Sequence, residues 1–207
     1  MVEEDLEEVD LGSSSQGPRP ISISTSLTRN EKSELILLLK EFKDIFAWDY
    51  SEMPGLDLGL VAHMLNVDLE TKPMAQPARI FNTEIEGQIV KEVQKLLAAG
   101  FIKPIQHPRW LSNIVPVKKK NEIRCCVDFR NFNRAYPKDE FPLPNMDLLI
   151  DFSVGSAMFS FMDRFSGYNQ IRMAPRDAEK TTFKTPMGNF YYTVKPFGLK
   201  NAGATYQ

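Results

Sequence analysis

Residues 157–171 read AMFSFMDRFSGYNQI. An apolar run over 158–162, interrupted only by Ser160, delivers one acid, Asp163, and then enters Arg164-Phe165-Ser166-Gly167-Tyr168. The run predicts a buried strand over 157–163 that ends in a tight turn. A carboxylate at the exit of a buried strand is costly to desolvate unless a cation meets it. From the residues alone, Asp163 reads first as a turn-capping acid and Tyr168 as a core aromatic. The alternative is an acid placed to hold a cation, with a ring beside it.

Bulk properties narrow the choice. With 207 residues, 43% of them hydrophobic, the chain can build one domain core with an extended arm. The longest wholly apolar run, residues 35–39, is far short of the ~20 residues that cross a bilayer. The acidic start lacks the basic-then-apolar order of a signal peptide. The only cysteines, Cys125 and Cys126, are adjacent, which suits neither a disulfide framework nor metal-ligand spacing. A reducing, intracellular setting (cytoplasmic or nuclear) with buried thiols is expected. The net charge of −2 conceals an asymmetry: residues 1–72 carry −9 and residues 73–207 carry +7. A basic body suits a polyanionic partner.

Local patterns divide the chain further. Residues 1–26, an acidic decamer followed by a Ser-, Gly- and Pro-rich stretch, are expected as disordered linker. Residues 27–72 are expected as a helix followed by an extended segment. Thr28-Arg-Asn-Glu31 fits a capping box that opens a helix over 29–47. Thr83-Glu-Ile-Glu86 fits another; Ile85, Ile89, Val93, Leu96 and Leu97 mark the helix's apolar face, and Gly100 ends it. Strands are predicted over 101–105, 113–119, 123–129, 169–173, 181–185 and 190–194, with a short helix over 144–152. The class is α+β with hairpins, not alternating βαβ units. No phosphate-binding glycine loop of the Walker or Rossmann kind occurs. The two histidines, His63 and His107, stand alone and read as surface or packing residues.

Three segments together resemble one family. They are residues 111–133 (LSNIVPVKKKNEIRCCVDFRNFN), residues 159–173 (FSFMDRFSGYNQIRM) and residues 182–207 (TFKTPMGNFYYTVKPFGLKNAGATYQ). In order and spacing they resemble the fingers and early palm of a gypsy-type LTR retrotransposon reverse transcriptase, part of a Pol polyprotein. The wording is similar to that of plant elements. The resemblance spans residues 73–207 and implies a right-hand polymerase that copies an RNA template from a DNA primer with dNTPs. Joining a primer hydroxyl to a nucleotide phosphate suits two Mg²⁺ (or Mn²⁺) ions held by carboxylates. Asp163 matches the catalytic acid and metal ligand. The backbone of Phe165, Ser166 and Gly167 matches the turn that faces the triphosphate. Tyr168 matches the ring that lies under the sugar and refuses a 2′-hydroxyl. Lys118, Lys119 and Arg124 resemble fingers residues that close on phosphates, and Phe197 falls near the sugar. Asp128 and Arg130 read mainly as structural.

The sequence also departs from that family. The other two carboxylates come from a Tyr-x-Asp-Asp turn, and no such motif occurs in these residues. A fragment or decayed copy, inactive by itself, is therefore expected. The alternatives are a non-enzymatic nucleic-acid-binding remnant and an interaction module built on residues 1–47. Arg164 beside Asp163, a short Lys-Lys-Asn-Glu turn and Lys195 in a usually apolar place point the same way.

Overall fold

A computed structural model describes residues 5–12, 17–68, 70–119, 122–141, 145–156 and 167–206, with backbone only for Lys118, Lys119 and Glu122. The chain forms two units, Met1–Met53 and Pro54–Gln207.

In the first unit, β1 (Leu6–Asp10) pairs antiparallel with β2 (Pro20–Ser24). This corrects the expectation of a linker over residues 1–26. The composition hid one short segment in which apolar and polar residues alternate, Ile21-Ser-Ile-Ser24, and the acidic strand Leu6–Asp10 pairs with it. Asp10 closes the loop between them by accepting from the backbone N–H of Gly12 and Arg19, both at 2.7 Å. Helix α1 (Arg29–Glu41) begins with the expected box: Thr28 accepts from Glu31 N–H, and the Glu31 carboxylate accepts from Thr28 N–H at 2.8 Å. It stops earlier than predicted, at Phe42, and a 3-10 turn over Lys43–Ile45 follows.

The second unit is organised by a five-stranded sheet. Its elements are β3 (Ala62–His63), α2 (Thr83–Ala98), β4 (Ile102–Pro104), β5 (Ser112–Lys119) and β6 (Glu122–Val127). Next come α3 (Arg130–Asn133), α4 (Met146–Ser153), β7 (Arg172–Met173) and α5 (Pro175–Ala178). The chain continues through β8 (Phe183–Thr185), β9 (Gly188–Tyr192) and α6 (Ala202–Tyr206). The sheet order is β4-β9-β8-β5-β6, with β5 and β8 parallel and the other neighbours antiparallel. The mixed helix-and-sheet class is as predicted. Gly188, at φ 129°, allows the β8–β9 hairpin to turn tightly, and Thr185 Oγ1 pins that turn by donating to Gly188 O at 2.9 Å.

Helix α2 buries Ile89, Val93 and Leu96 against β6 and β4, while Leu97 remains largely exposed. Each of the three stabilises the unit by about 2 kcal/mol through apolar burial. Its N-cap is Asn82, which accepts from Ile85 N–H at 2.9 Å, rather than Thr83. Asparagine one residue earlier is the better cap. Phe183 packs on Tyr192, and Trp110 meets Phe132 edge-on at 5.1 Å, giving the sheet its aromatic core.

Two further expectations change. Residues 54–72, read as lying ahead of the polymerase, belong to its unit. Strand β3 pairs in parallel with β7, and Leu65 N–H donates to the buried Asp177 carboxylate at 2.9 Å. Of the strand predicted over 169–173, residues 169 and 170 belong instead to a 3-10 turn, Gly167–Gln170, and only Arg172–Met173 is extended. The predicted strand over 157–163 lies outside the described residues. Among the described residues, no helix is long and apolar enough to cross a membrane.

Candidate functional site

Strand β9 and the chain after it decide the site. Along β9 the residues alternate inward and outward, with Phe190 and Tyr192 buried. Val194 continues inward, and Lys195, which the period would send outward, is buried as well. Lys195 N–H donates to Ile171 O at 2.7 Å, so strand pairing holds this backbone beside the turn that carries Tyr168. The chain then bends through Pro196-Phe197-Gly198. Gly198 sits at φ 92°, with an added Cβ 3.6 Å from Phe129, so glycine lets this loop lie on the core.

The segment that follows β6 pins the same loop. Asn133 Nδ2 donates to Gly198 O at 2.8 Å, and Lys200 N–H donates to Asn133 Oδ1 at 3.0 Å. Asp128 fixes the start of that segment. It takes a two-pronged contact from Arg130, 2.8 Å from Nε and 2.7 Å from Nη2, and a longer one from Arg79. The Arg130 hydrogen bonds hold its carboxyl below the usual carboxylate range. Asp128 and Arg130 are thus bonded to each other, in keeping with the structural role expected of them.

The outcome is an aromatic cluster. Tyr168 and Phe197 meet with ring centroids 4.9 Å apart, and Tyr206 of α6 meets Tyr168 edge-on at 5.1 Å. Phe197 is 57% exposed and Tyr168 half-buried, so one side of the cluster faces outward. Gly167 is buried at its base. The Lys195 ammonium lies 4.0 Å from the Tyr168 ring centroid and 5.1 Å from that of Tyr206. It donates to Ala202 O at 2.6 Å. Burial brings its pKa down to about 8.

His63 extends the buried polar cluster. It is fully buried, and its Nδ1 shares a 2.8 Å hydrogen bond with Thr205 Oγ1. Its Nε2 has no partner among the described residues. Burial, and after it the Lys195 charge, push its pKa down to about 4. Nothing in the spacing of two lone histidines signalled this. Lys195 did stand out as a departure, but its burial shows only once the β9 register is known.

Of the site residues predicted, the structure brings together Gly167, Tyr168 and Phe197. Arg124 is exposed on β6, opposite Val117, and no contact joins it to them. Asp163, Arg164, Phe165 and Ser166, and the side chains of Lys118 and Lys119, lie outside the described residues. Cysteines 125 and 126 are not both buried as expected. Neighbours on a strand point to opposite faces, so Cys126 is exposed and Cys125 half-buried, its thiol pushed up to about 12 by burial. Among the described residues, no three of His, Cys, Asp and Glu converge on a metal position. Those residues therefore do not by themselves fit a divalent-ion site, and no chemical step below is routed through one.

A hairpin-rich sheet with α2 packed on β6 and β4, and a turn and a loop meeting at one aromatic cluster, is the fold of the fingers and part of the palm of a right-hand polymerase. Residues 117–207 match the family described as reverse transcriptase (RNA-dependent DNA polymerase). The chain is 30% identical over 190 residues to the retrovirus-related Pol polyprotein from transposon 297 of Drosophila melanogaster, covering 87% of this chain and 17% of that one. It is 29% identical over 181 residues to the Pol polyprotein from transposon gypsy of the same organism, covering 81% and 17%. Its fold is that of the foamy viral protease–reverse transcriptase solved in complex with double-stranded DNA. The two superpose with a TM-score of 0.68 at 18% identity, over 87% of this chain and 31% of that one. The chain belongs to the reverse transcriptase family, as a polymerase-domain segment akin to Pol polyproteins of gypsy and other LTR transposons. It spans about a sixth of the length of those two relatives. Reverse transcriptases generally use divalent metal ions.

Proposed function

We propose that this chain supplies the fingers and the nucleotide-facing part of the palm of an RNA-directed DNA polymerase, working inside the cell, in cytoplasm or nucleus. The observation that carries the reading is the meeting of Tyr168 with Phe197, an outward-facing aromatic wall set on a turn and a loop that the core holds in place. On this reading Tyr168 lies under the sugar of an incoming dNTP and Phe197 lies beside it. The backbone of Phe165, Ser166 and Gly167 faces the triphosphate. Lys118, Lys119 and Arg124 close over the phosphates from the fingers. Asp163 is the metal ligand; an ion held there, Mg²⁺ or Mn²⁺, would neutralise phosphate charge and acidify the primer hydroxyl. RNA template and DNA primer are the nucleic-acid partners.

The test is dATP binding to the chain assembled on an RNA template–DNA primer. Tyr168→Ala is expected to weaken it about tenfold, through loss of the ring that packs under the sugar. Unchanged affinity overturns the assignment of the pocket. The +7 balance of residues 73–207 favours a second reading, nucleic-acid binding without catalysis. Divalent-dependent incorporation, compared with Asp163→Asn, separates the two. Incorporation abolished by the substitution supports the polymerase. Template–primer binding that falls with salt, without incorporation, supports the second reading.

A further inference from the structure

Lys195 is a buried cation, and among the described residues no carboxylate pairs with it. Its side chain is wholly shielded from solvent, and that burial lowers its pKa. An ammonium in that position is unfavourable for the fold unless something specific holds it. Two things do: the Ala202 carbonyl at the start of α6, and the faces of Tyr168 and Tyr206. A cation over a ring face is attracted by the ring quadrupole, more strongly when both are shielded from water. The same attachment ties Tyr168 to α6 and to β9. Phe197, two residues beyond Lys195, touches the same Tyr168 ring. The Tyr168 ring is therefore held by Lys195 and touched by Phe197, the other residue assigned to the sugar side.

We propose that Lys195 is a positioning residue: its buried ammonium fixes the height of the Tyr168 ring and so sets how strongly the site refuses a nucleotide bearing a 2′-hydroxyl. The inference rests on the nucleotide reading of the Tyr168–Phe197 pocket. Without the charge the ring is free to tilt within its half-buried place, and the clearance above it no longer distinguishes ribose from deoxyribose. Selectivity changes while binding through base and phosphates persists.

The experiment measures dissociation constants for dATP and ATP by NMR titration of the full chain on template–primer, for the unsubstituted chain and Lys195→Met. The ratio of the two constants is independent of the fraction of protein that is folded. The preference for dATP is expected to fall about fivefold in Lys195→Met, the loss of one shielded cation–ring contact. A second arm needs no substitution. With its pKa brought down to about 8 by burial, Lys195 loses charge as pH rises from 7 to 9. The titratable groups facing it are Tyr168, Tyr206 and His63. His63, which also senses Asp177, is neutral throughout that window. The preference is expected to fall from pH 7 to pH 9 in the unsubstituted chain and to stay flat in Lys195→Met. A dATP preference unchanged by both the substitution and the pH overturns the role of Lys195. If dATP binding still weakens in Tyr168→Ala, the pocket itself survives. An unsubstituted chain that binds neither nucleotide overturns both readings.

Discussion

Asp128 carries more of the fold than its place in a short motif suggests. Its side chain is 6% exposed, yet Arg130, its main partner, is 78% exposed. The arrangement differs from an exposed surface pair because the acid is desolvated while the cation keeps most of its water. Asp128 Oδ1 also accepts from Arg130 N–H at 3.2 Å, which satisfies a donor in the first turn of α3. Its carbonyl accepts from Gln76 Nε2 at 2.9 Å, and Gln76 Oε1 in turn accepts from Asn113 N–H. Asp128→Ala is expected to destabilise the second unit by about 2 kcal/mol, through loss of the charged hydrogen bonds and of the first-turn contact. Urea unfolding followed at Trp110 in a Trp48→Phe background measures it. A loss under half a kcal/mol would place Asp128 among ordinary surface pairs. Because the folded carboxyl titrates below its usual range, this contribution is present above the unfolded pKa and fades as pH falls through the folded one.

Strand β3 shows how a two-residue element becomes integral to a domain. Two parallel pairs, Ala62 with Arg172 and His63 with Met173, are too few to hold an extended segment by themselves. Two further hydrogen bonds and an ion pair complete the attachment. Asp177, 1% exposed at the end of α5, accepts from Leu65 N–H and pairs with Lys180. Ala174 N–H donates to His63 O at 2.9 Å. Asp177→Ala leaves a buried donor at Leu65 and a lysine without its partner, and is expected to cost about 3 kcal/mol. The opening should be local: limited proteolysis is expected to cut within residues 54–72 in the variant before it touches β5 or β9. Cleavage at the same rate and place as in the unsubstituted chain would refute the idea that Asp177 clamps this strap.

At the scale of the molecule, sequence reasoning succeeded where a pattern is local and failed where a partner is distant. The capping box at Thr28, the apolar face Ile89, Val93 and Leu96, and the Met187-Gly188 turn were legible because each is decided within a few residues. Tyr168 and Phe197 were each singled out through the resemblance carried by their flanking motifs, and their rings meet. The strap was not legible, because β3 gains its order from β7 and α5, more than a hundred residues further on. His63 was set aside as isolated for the same reason: Thr205, its partner, lies near the other end of the chain. Its burial has a consequence for the whole second unit. In the folded protein His63 resists protonation down to about pH 4, against 6.5 for the free side chain. Above pH 6.5 both folded and unfolded states hold it neutral, and it has no effect on pH dependence. Between 6.5 and 4 the unfolded chain binds a proton that the folded chain refuses, so stability falls as pH falls. The full loss is about 3 kcal/mol, and about 2 kcal/mol of it should appear by pH 5. His63→Asn keeps a polar group toward Thr205 but cannot titrate. Urea unfolding of both proteins, followed at Trp110 in a Trp48→Phe background, should show the unsubstituted chain losing about 2 kcal/mol more than the variant between pH 7 and pH 5. Parallel losses would mean that His63 takes up its proton in the folded state as readily as in water, and that the cluster it shares with Lys195 and Thr205 is open to solvent.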